Sequence, residues 1–104
     1  MKIIKAKVQG ERITKLDGIY DLIAGSRGYL HVQLEADTAW NGCTKIAVFT
    51  SGDIEEAVVM ENNLCPVPDI ICDQRIFYLQ FVGVRKGGYR VNSAKRKITQ
   101  GGSL

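Results

Sequence analysis

Apolar and polar residues alternate most cleanly between Tyr29 and Asp37. Leu30, Val32, Leu34 and Ala36 fall on one side, and Tyr29, His31, Gln33, Glu35 and Asp37 on the other. That period of two marks an antiparallel strand with one wet face, because a helix would mix the two sets. Met1 to Val8 alternates more loosely, with Ile4, Ala6 and Val8 on one side. Further strands are predicted at Glu11 to Leu16, Ile19 to Ala24, Thr44 to Thr50, Ile54 to Met60, Arg75 to Arg85, Tyr89 to Ser93 and Lys95 to Gln100. The run Ile54 to Met60 fits helix or strand by pattern. Its adjacent Val58 and Val59 and its short length favour strand.

The segments between these runs are rich in turn residues. Asp17-Gly18, Gly25 to Gly28, Ser51-Gly52-Asp53, Glu61-Asn62-Asn63 and Lys86-Gly87-Gly88 break the chain where strands end. Pro66 and Pro68 exclude a central strand around them. Asp69 to Asp73 reads as a single helical turn with Asp69 as its cap. Gly83 leaves room for a bulge or bend in the Arg75 to Arg85 strand. The expected fold is all-β: an antiparallel β-sandwich, immunoglobulin-like or jelly-roll-like, of about 7–9 short strands, with at most one helical turn near 69–74. Its core should centre on Leu30, Val32, Leu34, Ile46, Val48, Phe77, Leu79 and Phe81. One domain over 1–104 is expected, with 101–104 as a flexible end.

Composition narrows the functional classes. Hydrophobic residues are 45% and charged residues 24% of the 104 residues, as in ordinary globular domains. A net charge of +3 is mild for a nucleic-acid binder. Arg85, Lys86, Arg90, Lys95, Arg96 and Lys97 crowd the last part of the chain, with Tyr89 among them. Strand alternation should split them between faces and edges, where lysines block stray strand pairing. Nucleic acid and membrane are therefore not the expected partners. No run approaches the length of a membrane span, and lysines interrupt the apolar residues of the N-terminus. The protein is accordingly expected to be made and kept in a cytosol, or released by lysis.

Candidate chemistry is sparse. His31, the sole histidine, sits on the polar face of its strand, and no motif surrounds Ser26, Ser51 or Ser93 as a partner nucleophile. Glu35 with Asp37, and Glu55 with Glu56, read as solvated faces rather than as an acid pair in a cleft. The glycine-rich pieces match no phosphate-binding fingerprint. Cys43, Cys65 and Cys72 are odd in number and lack a CxxC pair, which argues against a disulfide framework and a zinc site. A single Cys65 to Cys72 bridge stays open, and buried free thiols are the simpler reading. No catalytic residue, cofactor or metal site is expected.

Several segments in order also resemble a known family. Leu16-Asp17-Gly18, Leu22-Ile23-Ala24-Gly25 and His31-Val32-Gln33-Leu34-Glu35 lead to Ala39-Trp40-Asn41-Gly42. Lys45-Ile46-Ala47-Val48-Phe49 follows, then Cys65-Pro66-Val67-Pro68 and Phe77-Tyr78-Leu79-Gln80-Phe81-Val82-Gly83-Val84. Tyr89-Arg90-Val91-Asn92-Ser93 and a Gly-Gly-Ser exit close the chain. This order resembles small β-sandwich domains at the N-termini of baseplate, tail-fibre and head-fibre proteins of phages infecting Gram-positive bacteria. In that family the chain often continues beyond such an exit into a longer fibre. Here it stops at Leu104, as a stand-alone version or a truncated one.

The resemblance implies a non-enzymatic attachment module in the virion, or in the host cytoplasm before assembly. It would work by protein contact, through homo-oligomeric packing or docking onto a capsid or tail. The residues marked for contact are Trp40, Asn41, Arg85, Lys86, Tyr89 and Arg90. For Trp40, capping the sandwich core competes with anchoring a partner. Two alternatives stand beside the virion reading. One is a small phage-encoded inhibitor of a host defence protein, which the basic C-terminal third suits. The other is a carbohydrate-binding module with Trp40 and Tyr20 or Tyr29 as stacking platforms.

Overall fold

The structure, a computed structural model, describes residues 1–102 and is an all-β sandwich of nine strands in two sheets. The strands are β1 (Lys2–Gln9), β2 (Arg12–Asp17), β3 (Leu30–Ala36), β4 (Thr44–Ser51), β5 (Ile54–Val59), β6 (Leu64–Pro66), β7 (Ile76–Arg85), β8 (Tyr89–Asn92) and β9 (Arg96–Thr99). Sheet I has the order β2-β1-β3-β6 and sheet II the order β5-β4-β7-β8. Strand β9 also lies on β7, taking residues 76–79 while β8 takes 82–85. Two short strands thus share the one edge that β4 leaves free.

One ladder departs from the antiparallel expectation: β1 and β3 run parallel, from Lys2 opposite Leu30 to Val8 opposite Ala36. The β1–β2 hairpin explains it. Strand β2 ends at Asp17 opposite Lys5, near where β1 began. Residues 18–29 stay at that end, so β3 starts beside Lys2 and leaves in the direction of β1. This segment forms no strand, against the expectation for Ile19 to Ala24. Its alternation is real, since Leu22 and Ala24 are buried. Its backbone finds only an isolated bridge, Ile23 with Gly101. Asp21 and three glycines there adopt positive φ, which prevents a continuous ladder. Gly101 is fixed through that bridge: its N–H donates to the Leu22 carbonyl at 2.6 Å. The remainder of the flexible end expected over 101–104 reaches past the described residues.

Between the sheets lies one core, with Ile4, Val32 and Leu34 from sheet I and Phe49, Phe77, Leu79, Phe81 and Ile98 from sheet II. Phe49 and Phe77 meet with ring centroids 6.1 Å apart, tilted by 57°. The expected Ile46 and Val48 are not in this core. Ala47 and Phe49 point inward, and Ile46 and Val48 lie half-buried on the other face of β4. The run TKIAVFT is apolar on both faces, so its pattern could not fix which way it points.

Smaller features also differ from expectation. The helical turn α1 (Asp69–Cys72) has Pro68 at its cap position and Asp69 inside its first turn. Gly83 is no bulge, because β7 pairs with β4 in unbroken register from Thr44 opposite Val84 to Thr50 opposite Tyr78. The irregularity falls instead between Lys7 and Val8, where β2 has one extra residue at Thr14. Gly83 serves packing: a Cβ there would lie 2.7 Å from Cε3 of Trp40.

Candidate interaction surfaces

Residues 38–40 form a 3-10 turn between β3 and β4. Asp37 holds its entry, accepting from the Ala39 N–H at 3.3 Å and from the Gly10 N–H at 3.1 Å. Trp40 is driven fully into the core, and its indole N–H donates to the Gly10 carbonyl at 2.9 Å. Such a tryptophan is a core cap. It offers no anchor to a protein partner and no stacking platform to a sugar, so the carbohydrate reading loses its central residue.

Five of the six expected contact residues nonetheless come together at this end of the sandwich, Trp40 buried beneath the other four. Residues 86–88 turn the β7–β8 hairpin and set Arg85 opposite Tyr89. The Arg85 guanidinium carbon lies 3.7 Å from the Tyr89 ring centroid, a cation–π contact. Arg85 also donates to the Asn41 carbonyl at 2.7 Å, and the Tyr89 hydroxyl donates to the Ala39 carbonyl at 2.6 Å. Both side chains are therefore used in clamping the 38–41 loop over Trp40. Lys86 is exposed on the turn itself. Arg90 stands apart on the outer face of sheet II, where it donates to Asn92 Oδ1 at 3.1 Å. The basic cluster is split as the alternation predicts: Arg96 reaches the Ile13 carbonyl at 3.2 Å, while Lys97 faces outward beside Tyr78.

The outer face of sheet II is the surface that the pattern missed. Directly opposed residues on neighbouring strands share a face, so the ladders give its rows. One row is Val59, Ile46, Val82 and Asn92, and the next holds Ala57, Val48 and Gln80. A third runs Glu55, Thr50, Tyr78 and Lys97. Val59 is 58% exposed, Tyr78 41% and Ile76 42%. Val82, only 5% exposed, is sheltered on this face without joining the core between the sheets. The outer face of sheet I is polar by contrast. An open hollow of about 350 Å³ lies there, lined by residues including Lys5, Lys7, Lys15, Asp17, Gln33 and Glu35. Lys7 with Glu35 at 3.5 Å and Lys15 with Asp17 at 3.6 Å pair on this exposed face.

The reactive side chains have structural surroundings. Asp37 caps a turn and Glu35 is ion-paired, while Glu55 and Glu56 point to opposite faces of β5. Among the described residues no three His, Cys, Asp or Glu groups gather as metal ligands. Cys43, Cys65 and Cys72 are free thiols. Burial pushes the Cys65 thiol up from 9.0 to about 11. Burial also raises Cys72, helped by the carboxylates of Asp69 and Asp73 and opposed by Arg27. Neither environment favours a thiolate nucleophile.

The Cys65 shift fixes a sign. Its native thiol stays protonated in a pH range where the unfolded thiol ionises, so its contribution is complete below pH 9 and is lost as pH rises toward 11. Urea unfolding at pH 8 and pH 10.5 should show the wild type losing about 2 kcal/mol more than Cys65→Ala over that interval. Equal losses would disprove the assignment.

Comparison of the chain with protein-family models, with curated proteins and with solved structures gives no match in any of the three.

Proposed function

We propose that this protein is a non-enzymatic module that acts by protein–protein contact, a virion attachment or assembly part of the fibre, baseplate or capsid type. The observation that carries the contact reading is the outer face of sheet II. A sandwich that needed only its internal core would carry polar residues on that face. Here Ile46, Val48 and Val84 lie part-exposed on its two central strands, with exposed Val59, Ile76 and Tyr78 around them, and contiguous exposed apolar surface marks interaction sites. The order of segments from Leu16 to Ser93 supports the virion setting through its resemblance to phage structural domains. Arg85, Lys86 and Asn41 add a polar, charged rim at one end of the molecule.

Particles purified from cells carrying the gene beside its native neighbours test this reading. Mass spectrometry is expected to find the protein in them in stoichiometric amount. Val48→Asp, on the half-buried outer face, should abolish incorporation while the thermal midpoint stays within a few degrees of wild type. Particles that assemble without the wild-type protein would end the virion assignment.

A further inference from the structure

We infer that the outer face of sheet II is the contact between two copies of this chain, related by a two-fold axis that runs along the strands. The inference rests on reading this face as a contact surface, and it names the occupant.

Opposite charges stand at the two ends of one row. Glu55, Thr50, Tyr78 and Lys97 lie side by side across the sheet, with an acid on the β5 edge and a base on the β9 edge. Arg90 adds a second base to that basic edge, on the outer face of β8. A two-fold contact is self-complementary: if one residue meets a second, the second meets the first. An axis along the strands, between β4 and β7, sets each β5 edge over the partner copy's β8 and β9 edge. Glu55 of each copy then faces Lys97 of the other, giving two reciprocal ion pairs. An axis across the strands would instead set β5 over β5 and the β8 and β9 edge over itself, which keeps Glu55 from the second copy's Lys97.

The same operation sets β4 over β7, so that part-exposed Ile46 lies over sheltered Val82 and each of Val84, Val48 and Tyr78 meets a polar side chain. Ile46 falls over Val82 of the second copy, Thr44 over Val84, Val48 over Gln80 and Thr50 over Tyr78. Sheets packed in this way keep their strands within about 30° of each other, which long Glu and Lys side chains can span. The size is sufficient. A face of four strands at about 4.8 Å spacing and eight residues at about 3.3 Å rise covers ~500 Å². Pairing two faces buries ~1,000 Å² in total, the lower bound of specific interfaces, so the dimer is a weak one.

The test uses the purified full chain alone, so its outcome is independent of virion incorporation. Sedimentation velocity from about 5 µM to about 500 µM covers the affinities expected of an interface of that size. Wild type should pass from monomer to dimer within that range and bind less tightly as salt is raised. Glu55→Lys and Lys97→Glu should each weaken dimerisation about tenfold or more, since each replaces two attractions with two repulsions. The double reversal, Glu55→Lys with Lys97→Glu, should restore it to within about threefold of wild type. Val48→Asp should leave only monomer, with an unchanged far-UV spectrum. A wild type that stays monomeric at every concentration overturns the proposal. So does a dimer indifferent to both single reversals, or one that the double reversal fails to restore.

Discussion

Trp40→Ala should lower the unfolding free energy by about 3–5 kcal/mol, the largest loss expected from any single truncation in this molecule. Trp40 is the bulkiest of the fully buried side chains. Its removal leaves a cavity at the closed end of the sandwich, and it strips the Gly10 carbonyl of the indole N–H at 2.9 Å. The Gly83 backbone lies so close to the ring that no side chain can stand between them. Trp40 is also roofed by the 38–41 loop, which Arg85 and Tyr89 hold in place. Domains of this size have about 5–15 kcal/mol in total, so the variant approaches the limit of folding. Urea unfolding followed by far-UV circular dichroism measures the loss. A value under about 1 kcal/mol would mean that the site collapses freely around the missing ring.

Gly18→Ala should cost nearly as much from a far smaller change. Gly18 has φ of 78°, where a Cβ costs about 1–2 kcal/mol on its own. That Cβ would also collide with the backbone carbonyl of Ile3. Ile3 belongs to β1 and is paired there with His31 of β3, which limits how far its carbonyl can retreat. Gly10→Ala is the control. Its φ is 56°, yet nothing lies within 4 Å of the position its Cβ would take. The two variants share the conformational cost and differ in the collision. Gly18→Ala is expected to destabilise by at least about 2 kcal/mol more than Gly10→Ala. Equal losses would show that backbone conformation alone matters at both sites.

Much of this fold was legible because one face of sheet I is wet. The alternation in β3 fixed both its extent and its buried side, and the same held for Ile4, Ala6 and Val8 in β1. Where both faces are apolar, as in β4, the period vanishes and cannot show that Ile46 and Val48 lie on the outer side. That ambiguity and the unforeseen apolar outer face have one cause: an outer face rich in valine and isoleucine looks like core. The parallel β1–β3 ladder was not legible either. It depends on where residues 18–29 deliver the chain, and Leu22 and Ala24 alternate there without a strand to pair with. At the clamp, the Lys86-Gly87-Gly88 turn marked where two strands end, and the pairing of Arg85 with Tyr89 follows from the hairpin it closes. Their carbonyl partners at Asn41 and Ala39 come from a distant segment, which only the packed core around Trp40 brings near.

The sharing of one edge of β7 by β8 and β9 also bears on which assemblies the molecule avoids. A continuous open edge is a template on which further chains add without end. Here that edge changes strand around Ser93, whose hydroxyl accepts from the Phe81 N–H at 2.9 Å inside the break. Each remaining piece is four residues long, too short to recruit an incoming chain by its main-chain groups alone. On sheet I, β6 is shorter still, at three residues. Fibrous growth through these borders is thereby discouraged, whereas stacking through a face with two-fold symmetry consumes both surfaces and stops at two.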